Sequence, residues 1–148
     1  MTRSQAILRM PVDLVDATMI LHDGESYDAL LFIPPSEDVA LLLIEGKQFV
    51  PVCLRGKEHM VARAQIACLG LAPDRAPKLS EDLPTVNQKV QIKLVSGVKL
   101  DGVLHWTAPP GQQRSSDYLD SESPVIHLYQ PERVYVIAKA HVAMVTEL

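Results

Sequence analysis

The stretch VYVIAKAHVAMV, residues 134–145, places an Ala-Lys-Ala unit inside an apolar and β-branched run near the C-terminus. Runs of Val, Ile and Tyr favour β-strands, and small residues inside such runs mark bends or close backbone approach. The stretch EHMVARAQIACL, residues 58–69, follows the same pattern, with Ile66 matching Val142 at an offset of 76 (142 minus 66). The two stretches therefore predict an internal repeat.

A second pair of matching stretches lies upstream, in the same order along the chain. TMILHDGESYDALL, residues 18–31, matches QIKLVSGVKLDGVL, residues 91–104, with Gly24 on Gly97 at an offset of 73 (97 minus 24). Two blocks in one order, at nearly equal offsets, favour a duplication of the chain. We expect a first copy with an N-terminal extension, a proline-containing linker and a second copy, at residues 1–69, 70–87 and 88–148.

Each copy is predicted to be all-β. Residues 90–97, VQIKLVSG, alternate apolar and polar side chains, which is the period of a half-buried strand. A Ser-Gly turn then leads into residues 98–106, where Gly102 is expected to bend the strand and curl the sheet. Residues 125–129 and 134–138 are two further β-rich runs, and a last short strand follows them. The sequence thus predicts two tandem five-stranded barrels that pack together or complete one another's sheets, because each alone is marginal.

The repeated segments resemble known small barrels. LVSGVKLDGVL resembles the first Sm motif, Leu-x-x-Gly-x-x-x-x-Gly-x-Leu, and IAKAHV resembles the second, with Ala138 and Lys139 in place of its Arg and Gly. RSSDYLD is similar to the Arg-x-Ser-Asp-Tyr-Leu segment of an uncharacterised bacterial small-barrel family. These resemblances imply an Sm-like or SH3-like barrel for each half. They also imply assembly through strand edges and RNA binding as possible activities.

Composition limits the classes of function. The chain has 148 residues, 47% hydrophobic and 22% charged, which is typical of a soluble globular protein. Its formal net charge of −4 argues against a general nucleic-acid binder, which usually carries a basic face. The N-terminus lacks a signal-peptide layout, and SQAILRM, residues 4–10, is the one segment that could form a longer helix. The longest apolar run, residues 39–44, is far shorter than the roughly 20 residues of a membrane helix, so we expect a cytoplasmic protein without membrane association.

No motif predicts catalysis, a metal or a cofactor. The five histidines lack HxH or HExxH spacing, and no phosphate-cradling glycine loop occurs. Ser115 and Ser116 lack a nucleophile elbow and are expected to cap a helical turn. Cys53 and Cys68 lie in apolar stretches and are predicted to be buried thiols, with a disulfide left open. We therefore expect a protein that is not an enzyme.

Five residues are candidates for contact with a partner or an anion: Arg114, Asp117, Tyr118, Lys139 and Arg63. Arg114 lies in a polar loop, where Asp38 is its counterpart, and pairs either with Asp117 or Asp120 or with a partner. Lys139 and Arg63 occupy matching positions as solvated side chains or as the remnant of a ligand site. The nearby aromatic residues fill a core or anchor an interface: Trp106, Tyr118, Tyr129 and Tyr135.

These features favour a protein–protein interaction or assembly module that binds a partner protein, or itself, through strand edges. The alternative is a module that binds single-stranded RNA or an anionic nucleotide, as the Sm resemblance implies. Basic residues at and near the repeated segments favour this alternative: Arg63, Lys139, Arg55, Lys57 and Arg133. The acidic net charge and an aromatic content of only 5% argue against it.

Overall fold

A computed structural model describes residues 12–35 and 37–148, and the predicted helix at residues 4–10 lies outside the described residues. Within them the chain has ten strands and two short α-helices. The strands are β1 Asp13–Leu21, β2 Ser26–Ile33, β3 Phe49–Leu54, β4 Lys57–Ala62, β5 Ile66–Leu71, β6 Thr85–Leu94, β7 Lys99–Thr107, β8 Val125–Tyr129, β9 Val134–Ala138 and β10 Val142–Glu147. The helices are α1 Ala40–Ile44 and α2 Ser115–Leu119, and 3₁₀ turns lie at Arg63–Gln65, Pro73–Arg75 and Lys139–His141. The predicted all-β class is confirmed.

All ten strands belong to one antiparallel sheet in the order β10-β6-β7-β8-β9-β5-β1-β2-β3-β4. Strands β1–β5 form the first half and β6–β10 the second, and the order within the two halves is the same. The halves meet where β5 pairs with β9, a contact that we call the joint. Among the described residues β4 and β10 each pair on one side only, so the sheet does not close. The result is one continuous sheet, and the predicted tandem barrels are not confirmed.

The strand registers of the two halves correspond at the offsets that the sequence shows. Hairpin β1–β2 matches hairpin β6–β7 at an offset of 73 (93 minus 20), and β3–β4 matches β8–β9 at an offset of 76 (125 minus 49). An irregularity in the β1–β5 ladder recurs at the corresponding place in the β6–β10 ladder. Corresponding pairs are Ile20–Ser26 with Lys93–Lys99 and Phe49–Ala62 with Val125–Ala138.

Two hydrophobic cores lie on either side of the joint. Strand β5 is buried along its whole length, and β9 is buried except at Ala138. Along β9, and along β5 from Cys68 onward, successive side chains enter different cores because successive residues of a strand point to opposite faces. The register irregularity between Ile66 and Cys68 interrupts this alternation at Ala67. The first core receives Ile66, Leu69, Leu71, Val134 and Val136, and the second receives Ala67, Cys68, Tyr135 and Ile137. Each core is therefore built from both halves of the chain.

One long connection joins the two halves, and one glycine allows two strands of the second half to approach closely. Strand β5 ends at Leu71 and β6 begins at Thr85, so residues 72–84 connect the halves. A Cβ atom at Gly102 would lie 2.7 Å from the Tyr129 carbonyl oxygen and 2.8 Å from Leu128 Cγ, so glycine permits a close approach of β7 and β8. The structure therefore shows a close backbone approach at Gly102, and the predicted bend stays a prediction. Within the described residues, no helix has the length and apolar character needed to cross a membrane.

Candidate functional site: two free strand edges

The joint provides the reference for how these strand edges pair. Its four residue pairs are Cys68–Ile137, Leu69–Val136, Gly70–Tyr135 and Leu71–Val134. The Tyr135 ring lies over Gly70, where a Cβ atom would be 2.8 Å from Tyr135 Cε1. Arg133 closes one side of this contact, because its Nη1 donates a hydrogen bond of 2.9 Å to Thr18 Oγ1. The joint is a buried and closely fitted strand pairing.

Helix α1 covers one face of the joint. Val39, which precedes α1, and Ala40 belong to the same buried cluster as Val125 and Val134 of the second half. Helix α1 also contacts β8. The edge pairing at the joint therefore packs the start of the short helix of one half against the β8–β9 hairpin of the other.

Strand β4 is the first free edge, and it occupies in the first half the place of β9 in the second. The Arg63 N–H donates to the Gln48 carbonyl at 2.7 Å, and this bond shows which residues of β4 direct their backbone groups toward β3. Backbone groups of an antiparallel edge strand point alternately inward and outward, so those of Glu58, Met60 and Ala62 point away from the sheet. This row of outward donors and acceptors can pair with another strand.

The side chains at this edge are apolar and exposed. Phe49 on β3 is 52% exposed, whereas its counterpart at the joint, Val125, is 5% exposed. Met60 is 59% exposed, whereas its counterpart Val136 is 2% exposed. Large apolar side chains that are buried in one half thus lie in solvent in the other, which is typical of an interaction surface.

Strand β10 is the second free edge, and it corresponds to β5. The Leu148 N–H donates to the Lys89 carbonyl at 3.0 Å, so the same alternation turns the backbone groups of Val145 and Glu147 outward. Met144 is 54% exposed, whereas its counterpart Cys68 is fully buried at 0%. Both free edges therefore combine exposed methionine with outward backbone groups that pair with no strand of residues 12–35 and 37–148.

Charged residues replace apolar ones around the free edges. Glu58 on β4 corresponds to Val134, and Glu147 on β10 corresponds to Leu71. Arg114 is the N-cap of α2 and by this position corresponds to Val39, the N-cap of α1. A cavity of about 490 Å³ beside β10 is lined by Arg114, Glu147, Val145 and Trp106, among others. Ser115 donates a hydrogen bond of 2.6 Å to Glu147 Oε2 in this region.

Three of the five candidate residues, Arg114, Asp117 and Tyr118, lie on or beside α2. The Arg114 backbone N–H donates to Asp117 Oδ2 at 2.9 Å, so this contact is a helix cap, and the serines form the first turn rather than the cap. The Tyr118 ring stacks on Trp106 with centroids 5.0 Å apart, and its hydroxyl accepts the His127 N–H at 3.0 Å. Burial raises the pKa of Tyr118. Tyr118 therefore packs inward, and Arg114 stays at the cavity.

The other two candidates hold loops. Arg63 Nε donates to the Leu42 carbonyl at 2.8 Å, and Lys139 Nζ donates to the Ser121 carbonyl at 2.7 Å. Each basic group therefore binds a carbonyl of its own half, at or just after the short helix, where cations are favoured. Burial lowers the pKa of Lys139, and the nearby Asp120 carboxylate opposes this shift.

A second cavity of about 410 Å³ lies under the connection between the halves, and its aromatic lining includes Trp106, Tyr118 and Tyr129. Trp106 Nε1 and Tyr129 Oη are buried and have no hydrogen-bond partner among the described residues. Both atoms are sealed from solvent, so a molecule in the cavity could not reach them without rearrangement. Trp106 and Tyr135 are core residues, while Tyr118 and Tyr129 pack at the margins of the cores.

The remaining titratable groups of the described residues include a histidine pair and two cysteines. Throughout residues 12–35 and 37–148, no three His, Cys, Asp or Glu side chains lie close enough to hold a metal ion. His22 Nδ1 lies 2.9 Å from His141 Nδ1, and His141 Nε2 lies 2.8 Å from the Ala64 carbonyl. Both cysteines are free, and burial raises the pKa of the Cys68 thiol to about 12.

Sequence reasoning missed Phe49, Met60, Glu58 and Glu147 as site residues. The repeat contained a usable signal, because each of these residues matches an apolar residue of the other half that is buried at or beside the joint. That signal is visible only when the pairing partner of each strand is known. No family model, curated protein or solved structure matches this chain.

Proposed function

We propose that this chain is a non-enzymatic protein–protein interaction or assembly module, built by duplication of a small Sm-like or SH3-like barrel unit. It binds an extended strand of a partner at either free edge, β4 or β10. The observation that carries this proposal is the joint, where a strand in the place of β4 already pairs with a strand in the place of β10. In strand addition, main-chain hydrogen bonds supply affinity and side-chain pockets supply specificity.

The side chains at the edges support a protein partner. Phe49, Met60 and Met144 are exposed beside unpaired backbone groups, and interfaces are enriched in aromatic residues and methionine. Arg63 and Lys139, which favoured RNA binding, each bind a carbonyl within the chain. Together with the net charge of −4, these contacts favour the protein partner over single-stranded RNA.

Site-specific photo-cross-linking in cells tests the proposal. A photoreactive residue at position 60 or 144 should give discrete protein adducts, and one at Leu83, which is exposed in the connection, should give none. Met60→Pro removes an outward N–H and no bond to β3, because the Arg63–Gln48 hydrogen bond and the β3–β4 register turn the Met60 N–H away from β3. This variant should abolish the adducts of a second photoreactive residue at position 49, whereas Met60→Thr should retain them.

Equal adduct yields at the edges and at Leu83 would contradict strand addition, as would adducts that persist in Met60→Pro. A gel-shift titration with single-stranded RNA tests the alternative at low and high salt. Binding that weakens steeply with salt would favour RNA as the partner.

A further inference from the structure

We infer that the partner strand belongs to a second copy of this chain, which docks head to tail with its β4 on β10 of the first copy. Glu58 of one copy then lies against Arg114 of the next. The inference rests on the proposed function and names the partner for the same edges. Three comparisons between the joint and the free edges support it.

The first comparison concerns backbone register. Placing β4 on β10 as β9 lies on β5 gives four pairs, Val61 with Met144, Met60 with Val145, His59 with Thr146 and Glu58 with Glu147. The first two pairs are apolar on both sides. The third pair, His59 with Thr146, stands where the joint has Tyr135 with Gly70. The His ring is smaller than the Tyr ring and Thr is larger than Gly, so the total side-chain volume of the pair changes little. The two edges therefore fit each other in the register that the joint already uses.

The second comparison concerns apolar cover. At the joint, α1 and Val39 cover Val125 of the opposite half. In the docked pair, α2 of one copy would cover Phe49 of the next, because Phe49 corresponds to Val125 and α2 corresponds to α1. Phe49 and Met60 are two of the large apolar side chains exposed in the single chain. The docking would remove both from water, which is favourable.

The third comparison concerns charge. At the joint Val39, Leu71 and Val134 belong to one buried cluster. At the docked edges their counterparts are Arg114, Glu147 and Glu58, which would form one guanidinium between two carboxylates. The Glu58 and Glu147 carboxylates would lie directly opposite each other and repel, so the docked pair needs the Arg114 guanidinium between them. The Arg114 side chain lines the same cavity as Glu147 and can donate to both carboxylates in its forked geometry.

Each docking event leaves one free edge of each kind. A contact between two different surfaces of identical chains produces a closed ring or an open filament. Charges that must be desolvated make this contact weaker than the apolar joint, so we expect the assembly to dissociate on dilution.

Sedimentation equilibrium over a concentration series tests the inference with a compensating pair of variants. The wild-type chain should form oligomers that dissociate to single chains on dilution. Arg114→Glu leaves three carboxylates together and should raise the dissociation constant by roughly thirtyfold or more. Arg114→Glu combined with Glu58→Arg again places one guanidinium between two carboxylates, and should recover most of the wild-type affinity.

The controls are Lys78→Glu and Glu81→Arg, which make the same kinds of charge change in the exposed connection and should leave the oligomers unchanged. Met60→Pro should also give single chains, by blocking β4. Circular dichroism establishes that each variant is folded.

Wild-type chains that stay single at the highest concentration would overturn the inference. Oligomers unaffected by Arg114→Glu, or a double variant no better than the single one, would overturn it as well. If the wild-type chain stays monomeric in sedimentation and its edges cross-link to a different protein, this inference is refuted and the proposed strand addition still holds. The absence of edge cross-links of any kind would refute both.

Discussion

Replacing Gly70 with alanine tests the joint at a closely packed point. A Cβ atom at this position would lie 2.8 Å from Cε1, 3.2 Å from Cδ1 and 3.3 Å from Cζ of Tyr135. Carbon atoms in ordinary contact lie about 3.5–4.0 Å apart, so the ring must move. The Tyr135 side chain is buried, and its hydroxyl lies 3.4 Å from Arg133 Nη1, which restricts that movement.

Two opposing effects set the magnitude. Overpacking of this kind costs about 1–3 kcal/mol. Alanine offsets part of it, because glycine inside a strand is destabilising by about 0.5–1 kcal/mol relative to alanine. The difference between the midpoints of these two ranges predicts that Gly70→Ala lowers the free energy of unfolding by about 1 kcal/mol. Urea denaturation followed by the fluorescence of Trp106, the single tryptophan, measures this change.

A double-mutant cycle locates the effect. In a Tyr135→His background the ring is smaller, as at the counterpart His59, and Gly70→Ala should then cost less than about 0.5 kcal/mol. Gly102→Ala is the matched control, because its Cβ would meet the Tyr129 carbonyl oxygen of the backbone at 2.7 Å. Its loss should be the same in both backgrounds. Equal losses for Gly70→Ala in the two backgrounds, or a gain in the wild type, would refute the reasoning.

Three further predictions concern single residues. Burial lowers the pKa of His141, the hydrogen bond with the Ala64 carbonyl opposes this shift, and the nearby His22 imidazole adds to it. The folded state therefore resists protonation of His141, so stability should be full above pH 6.5 and fall as the pH decreases through it. His141→Gln should flatten that fall in Tm measured from pH 7.5 to pH 5. Lys139→Ala removes the hydrogen bonds to the loop after α2 and should lower the free energy of unfolding by at most about 1 kcal/mol in urea denaturation; a loss several times larger would contradict this. Cys68 should stay unmodified by a thiol reagent at pH 8, where Cys53 reacts, until denaturant is added, because burial raises the Cys68 pKa to about 12.

Local patterns in the sequence predicted most of the second half. The runs at residues 125–129 and 134–138 coincide with β8 and β9, and the predicted strand at residues 98–106 differs from β7, Lys99–Thr107, by one residue at each end. Alternation and turn residues act over short distances, so they are legible without the fold. Helix α1 was not predicted, because five apolar residues have no period that separates a helix from a strand.

The candidate site was predicted only in part. Arg114 was singled out because it lies in a polar loop without a basic counterpart, and the structure places it at a cavity beside a free edge. The sequence offered no reason to connect it with Glu58 or Phe49, which lie in the other half. That connection needs the order of the strands, which depends on contacts distant in the chain.

The sequence by itself determined the all-β class and the positions of most strands of the second half, and it revealed matching blocks at offsets that the registers share. Only the tertiary structure decided that the two halves form one sheet through β5 and β9. The physical reason lies in those strands, whose side chains are apolar on both faces. A continuous apolar run shows that a strand is buried, but it cannot show which strand covers it. The same fact hid the free edges, because an edge is defined by the partner that it lacks.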